Sequence, residues 1–359
     1  MIPVSRPFLP PKDAIVKHLD DLYKSNQLTN EGQKILDLKK ELKKYLDVNN
    51  ISLVANGTLA LQLSIRSLDI KGEVITTPFS YVATASSILW ENCTPVFVDI
   101  NENDLTINAD LIEDSINDNT EAIIATHVYG FPCDIDKISR ISEKYNLKVI
   151  YDGAHAFGVK INGSSIFEYG DLTTCSTHAT KLFHTIEGGF VSSKNTKYTD
   201  RVELMKNFGH TSPYTYSGIG INAKMSELHA LFGLENLKNL DKVILNRKIL
   251  FDLYDSIFKN VQKIRVPSSK FNYQKNYSYY PIIFSSEKDL LDFQDHMSQN
   301  NIQTRRYFYP SLDTLYGTRN NPCSTSQELS KRILCLPLLS EIRNLELDTI
   351  NSAIIDYNF

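Results

Sequence analysis

The chain has 359 residues, 42% of them hydrophobic, which is ample for a buried core in one large domain or two. Its formal net charge of -4 and isoelectric point near 6.1 exclude the basic face that a nucleic-acid binder needs. Five cysteines, Cys93, Cys133, Cys175, Cys323 and Cys335, form an odd, scattered set with no CxxC pair, which points to free thiols in a reducing compartment and to neither a metal site nor a disulfide framework.

No run approaches the ~18 apolar residues of a membrane span, and the opening Met1-Ile2-Pro3-Val4 has no signal-peptide core. The expected location is the cytoplasm. In chain order, Lys39-Lys40-Glu41-Leu42-Lys43-Lys44 reads as a solvated helix face. From about residue 50 to 193, short apolar strands alternate with amphipathic helices, the pattern of a largely parallel α/β sheet. Strands are predicted at Val74–Thr77, Val96–Ile100, Ala122–Val128, Lys148–Tyr151, Leu172–Ser176 and Phe190–Ser193. Helices are predicted at Thr58–Leu68, Tyr81–Glu91 and Ile135–Tyr145. A long helix follows at Lys224–Leu240, with Met225, Leu228, Leu231, Phe232, Leu234 and Leu237 near helical period, and continues through Asp241–Phe258. The remainder reads as a smaller α+β domain, with strands at Tyr277–Ser285 and Ile302–Tyr309 and helices at Glu287–Asn300 and Leu345–Tyr357. The boundary falls between residues 240 and 266, which divides the chain into 1–240 and 241–359.

Two segments carry the chemistry. Asp152 ends the apolar run Val149-Ile150-Tyr151, and Lys181 follows the next strand, ahead of Glu187-Gly188-Gly189. A carboxylate that can hold a pyridine nitrogen protonated, and an amine that can condense with an aldehyde, are what pyridoxal phosphate chemistry needs. Asn56-Gly57-Thr58 precedes a helix, where free amides favour a phosphate, although an N-cap alone would explain it. Tyr81, after Thr77-Pro78-Phe79-Ser80, could stack on a flat cofactor or simply pack. Gly218-Ile219-Gly220 lacks the third glycine and the preceding strand of a dinucleotide fingerprint.

Together these segments resemble the DegT/DnrJ/StrS family of sugar aminotransferases. The matching positions are Gly57-Thr58, Pro78 with Tyr81, Pro95–Asp99, His127–Gly130, Asp152–His155, Ser176 with His178 and Lys181, and Gly220, Asn222, Lys224 and Met225. The resemblance implies the aspartate aminotransferase fold (fold type I), with a mostly parallel seven-stranded sheet in the large domain and a smaller C-terminal α+β domain. It implies pyridoxal 5'-phosphate as cofactor, bonded to Lys181, with Asp152 on the pyridine nitrogen and His155 on the phenolic oxygen. Gly57, Thr58 and Ser176 would bind the phosphate. Asn222 would reach the phosphate of a neighbouring subunit's cofactor, so a homodimer with shared sites is implied.

Two departures stand out: Lys224 replaces an arginine and Thr177 an aromatic residue. Lysine cannot make the bidentate fork of arginine. The form His-Ala-Thr-Lys-x-Phe-x-Thr-x-Glu-Gly-Gly looks like the branch aminating the C4 ketone of a nucleotide-linked 6-deoxysugar. L-glutamate and a dTDP-4-keto-6-deoxysugar are the implied substrates, and an amino sugar for O-antigen assembly is the implied product. Candidate substrate contacts are Arg305, Arg306 and Tyr309 on one predicted strand, with Arg6, His184 and Lys224. An aminotransferase for another ketosugar (UDP-linked, C4-epimeric or C3) and a noncatalytic regulatory protein are the alternatives.

Overall fold

The computed structural model describes residues 1–317 and 322–359. Two helices open the chain, α1 (Lys12–Ser25) and α2 (Gln33–Leu46). The lysine-rich face belongs to α2: Leu38, Leu42 and Leu46 point inward, Lys40 and Lys44 face solvent, and Lys39 pairs with Glu203. An α/β region follows: β1 (Ile51–Val54), α3 (Gly57–Ser67), β2 (Glu73–Thr76), α4 (Val82–Trp90), β3 (Thr94–Phe97), β4 (Thr120–Thr126), α5 (Ile135–Tyr145), β5 (Lys148–Asp152), β6 (Leu172–Ser176), β7 (Gly189–Ser192) and α6 (Thr196–Met205). The seven strands form one sheet in the order β1-β7-β6-β5-β4-β2-β3. Only β7 runs antiparallel to its neighbours β1 and β6; the other pairings are parallel.

Strand alternation explains why both sheet faces are covered. Leu53, Ile75, Ile123, Val149 and Phe190 enter one core, with α2 and α5 residues. Their neighbours Val54, Val74, Ile124, Ile150 and Val191 enter another, with α3 and α6 residues. Burial on both faces leaves the strands reading as continuous apolar runs, as in parallel sheets generally. Helix starts are set by side-chain caps: Asn56 accepts from the Leu59 N–H and Asp134 from the Lys137 N–H.

The helix predicted from 224 through 258 is two helices, α7 (Glu227–Lys238) and α8 (Leu240–Phe258). Ser226 caps α7 through the His229 N–H, which leaves Lys224 outside the helix. Asn239 leaves helical geometry at φ -105° and ψ 2°, and its side chain bonds back to the Glu235 carbonyl. Apolar periodicity alone could not show that break. Helix α8 then serves two cores: Leu240 and Val243 pack with the sheet, while Leu250, Tyr254 and Phe258 join a separate cluster.

That second cluster surrounds a three-stranded antiparallel sheet, β8 (Ile264–Arg265), β9 (Tyr280–Phe284) and β10 (Ile333–Leu336). Helices α9 (Glu287–Gln299), α10 (Leu312–Tyr316), α11 (Ser324–Arg332) and α12 (Asn344–Ile355) complete the chain. The strand predicted at 302–309 does not form. Ile302 bridges only Ile2 and Arg305 only Cys335, because Arg306 turns to Glu287 while Phe308 turns to Phe79. Among the described residues no helix is long and apolar enough to cross a membrane.

Phe190 is fully buried on β7, edge-on to the Phe157 ring and tilted against the Phe167 ring. We expect Phe190→Ala to lower the unfolding free energy by about 3–5 kcal/mol, read as a reduced denaturant midpoint.

Candidate active site

The carboxyl ends of β1, β4, β5 and β6 meet at a single cleft of about 270 Å³. Such an edge is where open α/β sheets bind ligands. Asn56, Gly57, Tyr81, Thr126, Asp152, His155, Ser176, Lys181, Tyr279, Arg305 and Phe308 are among the residues of its wall.

Asp152 lies at the floor, only 6% exposed. One carboxylate oxygen accepts from the Thr84 hydroxyl at 2.9 Å and the other from the Ala154 N–H at 3.1 Å. Thr84 belongs to a hydroxyl chain, with Ser80 2.8 Å from Thr84 and 3.0 Å from Thr126. Burial raises the Asp152 pKa against the pull of these donors and of Lys181. A carboxylate so placed gains from a cationic N–H partner.

Lys181 stands on a loop tied across its base. The Thr177 N–H donates to the Gly188 carbonyl at 2.9 Å, and the Thr177 and Thr185 hydroxyls meet at 2.7 Å. The residue at 177 is thus a small buried hydroxyl closing the loop, with no part in the cleft wall. Burial lowers the Lys181 pKa, while the Asp152 charge opposes the shift. A lysine depressed in this way holds more of its amine neutral and nucleophilic.

His155 accepts the Tyr129 N–H at its Nδ1, 3.1 Å away, which leaves Nε2 as the protonated nitrogen. Its ring stacks on Phe308 with 5.5 Å between centroids and 8° between planes. Burial, then the Lys181 charge, keeps His155 neutral by lowering its pKa.

The first turn of α3 supplies the anion end. Asn56 occupies the cap, and the N–H groups of Gly57 and Thr58 have no acceptor among the described residues. A Cβ on Gly57 would lie 2.6 Å from the Ser176 Cβ, so glycine is what lets the turn sit against the end of β6. Lys206 braces this turn from behind. It is 1% exposed and bonds to the Leu53 carbonyl at 3.0 Å, Glu31 at 2.8 Å and Glu203 at 2.7 Å. The Ala55 N–H is tied to the Ala223 carbonyl at 2.8 Å.

These groups fit a phosphorylated pyridine aldehyde. Free helix amides and two hydroxyls face one end, a buried carboxylate and a depressed lysine lie deeper, and the Tyr81 ring is 55% exposed on the wall. No cluster of three or more metal-ligating side chains occurs among the described residues.

The cleft gathers Gly57, Thr58, Tyr81, Asp152, His155, Ser176, Lys181 and Arg305. The other candidates are engaged elsewhere. Arg6 forms a two-pronged pair with Glu346 at 2.7 and 3.2 Å, fastening the N-terminus to α12. His184 is buried and bonds through Nε2 to the Phe8 carbonyl at 2.8 Å. Arg306 pairs with Glu287 at 2.7 Å, and Tyr309 lies over its guanidinium. Lys224 donates to the Asn207 side chain at 3.0 Å. Asn222 is exposed and bridges Asn207, outside this chain's own cleft. Sequence reasoning missed Ser80, Thr84, Thr126, Tyr279, Tyr307 and Phe308. The first two lie inside the Thr77–Thr84 segment that drew attention to Tyr81; the three aromatics lie inside the segments predicted as strands 277–285 and 302–309, and only their packing with Phe79 and Tyr129 brings them to the cleft.

The DegT/DnrJ/EryC1/StrS aminotransferase family pattern matches residues 11–355. The chain is 38% identical over 357 residues to dTDP-4-amino-4,6-dideoxy-D-glucose transaminase of Shigella dysenteriae, covering 98% of this chain and 97% of that protein. It is 28% identical to GDP-perosamine synthase of Escherichia coli O157:H7, covering 99% of this chain and 98% of that one. Among solved structures it resembles DesI, described in the presence of its TDP-sugar product, with a TM-score of 0.91, 25% identity and coverage of 97% and 91%.

We expect Gly57→Ala to lower stability by about 1–3 kcal/mol, because its Cβ would overpack against Ser176, and, by shifting the turn, to weaken binding of the phosphorylated cofactor. Titrating the variant with the phosphorylated cofactor by equilibrium dialysis measures this.

Proposed function

Because the chain belongs to the DegT/DnrJ/EryC1/StrS aminotransferase family and is a PLP-dependent aminotransferase, we propose that it moves an amino group from L-glutamate to the C4 ketone of dTDP-4-dehydro-6-deoxy-D-glucose. The product would be dTDP-4-amino-4,6-dideoxy-D-glucose, a sugar for O-antigen assembly. The observation that carries this reading is the 38% identity over nearly the full length to a transaminase of that name, joined to a cleft that holds Lys181 and Asp152 together.

Bound in the cleft, pyridoxal 5'-phosphate supplies an electron-withdrawing ring and an aldehyde carbon that carries the amino group between substrates. Asp152 holds a proton on the pyridine nitrogen, and the Thr84 hydroxyl and the Ala154 N–H hold Asp152. The neutral Lys181 amine takes the proton from the donor's α-carbon and returns one to the acceptor. Gly57, Thr58 and Ser176 bind the phosphate, with the α3 dipole favouring its charge. His155 presents Nε2–H toward the phenolic oxygen. Phe308 and Tyr307 close the wall against water.

Arg305 supports an anionic substrate. It lines the cleft, lies 4.8 Å from the Tyr307 ring centroid, and has no carboxylate partner among the described residues. It is the one predicted substrate contact in the cleft, suited to a diphosphate or a donor carboxylate. The active form would be a homodimer in which Asn222 serves the neighbouring site. Its exposure, with Tyr214 at 92% and Ile219 at 90% nearby, supports that arrangement.

We expect Lys181→Ala to abolish turnover and the visible absorbance of the lysine-bound cofactor; a variant retaining both would sink the assignment. For the substrate, the test is incubation with glutamate, cofactor and dTDP-, UDP- and GDP-linked 4-keto-6-deoxysugars, with products identified by mass and NMR coupling constants. An equatorial C4 amine on the dTDP sugar is the expected result. Amination at C3, or of another nucleotide sugar alone, would overturn the substrate and leave the cofactor chemistry standing.

A further inference from the structure

Among the described residues the Lys181 amine has one hydrogen-bond partner, the Tyr279 hydroxyl at 3.4 Å. That hydroxyl in turn makes no other hydrogen bond among the described residues. A phenol largely removed from water commonly finds a partner for its O–H, and for the half-buried Tyr279 that partner is the reactive nitrogen.

Tyr279 is held in place by contacts its hydroxyl does not make. The Asn276 side chain donates to the His155 carbonyl at 2.9 Å and the Phe157 carbonyl at 3.0 Å, and accepts from the Ser278 N–H at 3.2 Å. On the other side, Arg247 of α8 donates to the Ser278 carbonyl at 3.2 Å. Arg247 is 2% exposed and has no carboxylate partner among the described residues. The Tyr280 hydroxyl bonds to Asp255, also on α8, at 2.8 Å. Residues 276–280 therefore form a strap. Its one end is fastened to the turn that carries His155, and its other end to α8. The Tyr279 ring sits 4.4 Å from His155 and 5.6 Å from Tyr129. The strap holds Tyr279 at the cleft wall, with its hydroxyl within reach of the Lys181 amine.

We infer that the Tyr279 hydroxyl is the holding point for the Lys181 amine whenever that amine is not bonded to the cofactor. This rests on the reading of Lys181 as the cofactor-bonding residue. A transaminase must release its lysine, use it to move a proton, and take it back. An unheld four-carbon stem has rotamer freedom to lose at each return. The hydroxyl serves both charge states. Its oxygen accepts from the ammonium, and its O–H donates to the lone pair of the neutral amine. Burial raises the Tyr279 pKa, so the proton stays on the oxygen. Tyr279 is thus a positioning residue, acting through Lys181.

The test uses the full-length protein freed of cofactor, with pyridoxal 5'-phosphate added as the aldehyde probe across pH 6–9.5. Capture is followed by absorbance, then fixed with borohydride and located by peptide mass. The pH dependence of the capture rate reports the amine pKa, and the probe's own ionisations cancel between proteins. Asp152, Cys175, Tyr307, Tyr81 and His155 also face the amine and stay unchanged. In Tyr279→Phe the ring still packs on His155, so folding is kept, and circular dichroism checks this. We expect its profile to move to lower pH by about half a unit to one unit, because a hydrogen bond from a charged donor is lost. A profile that superimposes on the parent, or moves to higher pH, overturns the inference. Capture at a lysine other than Lys181 in the parent protein would instead overturn the cofactor reading itself.

Discussion

A carboxylate buried at the end of a parallel strand is the constraint around which this molecule is arranged. Asp152 has two donors, Thr84 and Ala154, and is almost wholly removed from water. Those donors offset only part of the desolvation. Lys181 faces the mirror problem, a buried amine whose charged form is penalised. Each charge favours the other, so neither group's state is set alone. A pyridinium placed between them would satisfy the acid and leave the amine free to react.

The surrounding structure divides the work between two cores. The sheet positions the acid, the lysine loop and the first turn of α3, all at one edge. A further cluster, in which Phe308, Tyr279 and Tyr307 pack with Phe79 and Tyr129, brings aromatic rings over that edge, and Arg305 lines it beside them. Buried cations hold the joints: Lys206 behind the α3 turn and Arg247 behind the strap. Their bonds to backbone carbonyls fix chain segments near the cleft. For Lys206, loss of its partners Glu31 and Glu203 would strand a buried charge, which costs several kcal/mol.

Much of this was legible because the decisive residues are short-range features of the chain. A carboxylate closing an apolar strand, glycine ahead of a helix, and lysine after the next strand can each be read locally. The sheet strands followed from apolar runs bounded by turn residues, within one or two positions at most ends. What failed depended on distant partners. Arg6 and His184 look like free polar side chains until Glu346 and the Phe8 carbonyl are seen beside them. The 302–309 segment has strand composition, yet its side chains are drawn in opposite directions by Glu287 and Phe79. The break at Asn239 lies inside an apolar pattern that runs straight through it. The aromatic wall of the cleft is formed by contacts between residues well over a hundred positions apart, such as Tyr129 with Tyr279.

Helix α8 contributes Leu240 and Val243 to one core and Leu250, Tyr254 and Phe258 to the other. Melting of either core strips half of the helix of its packing, and a helix of that length gains most of its stability from packing. Loss of one core is thereby communicated to the other along a single backbone. The cleft is walled by residues from both ends of the chain, Asn56 and Phe308 among them, so its integrity tracks the cooperativity of the whole chain. A destabilised variant would lose its binding site and its fold together, with little room for a folded form that cannot bind.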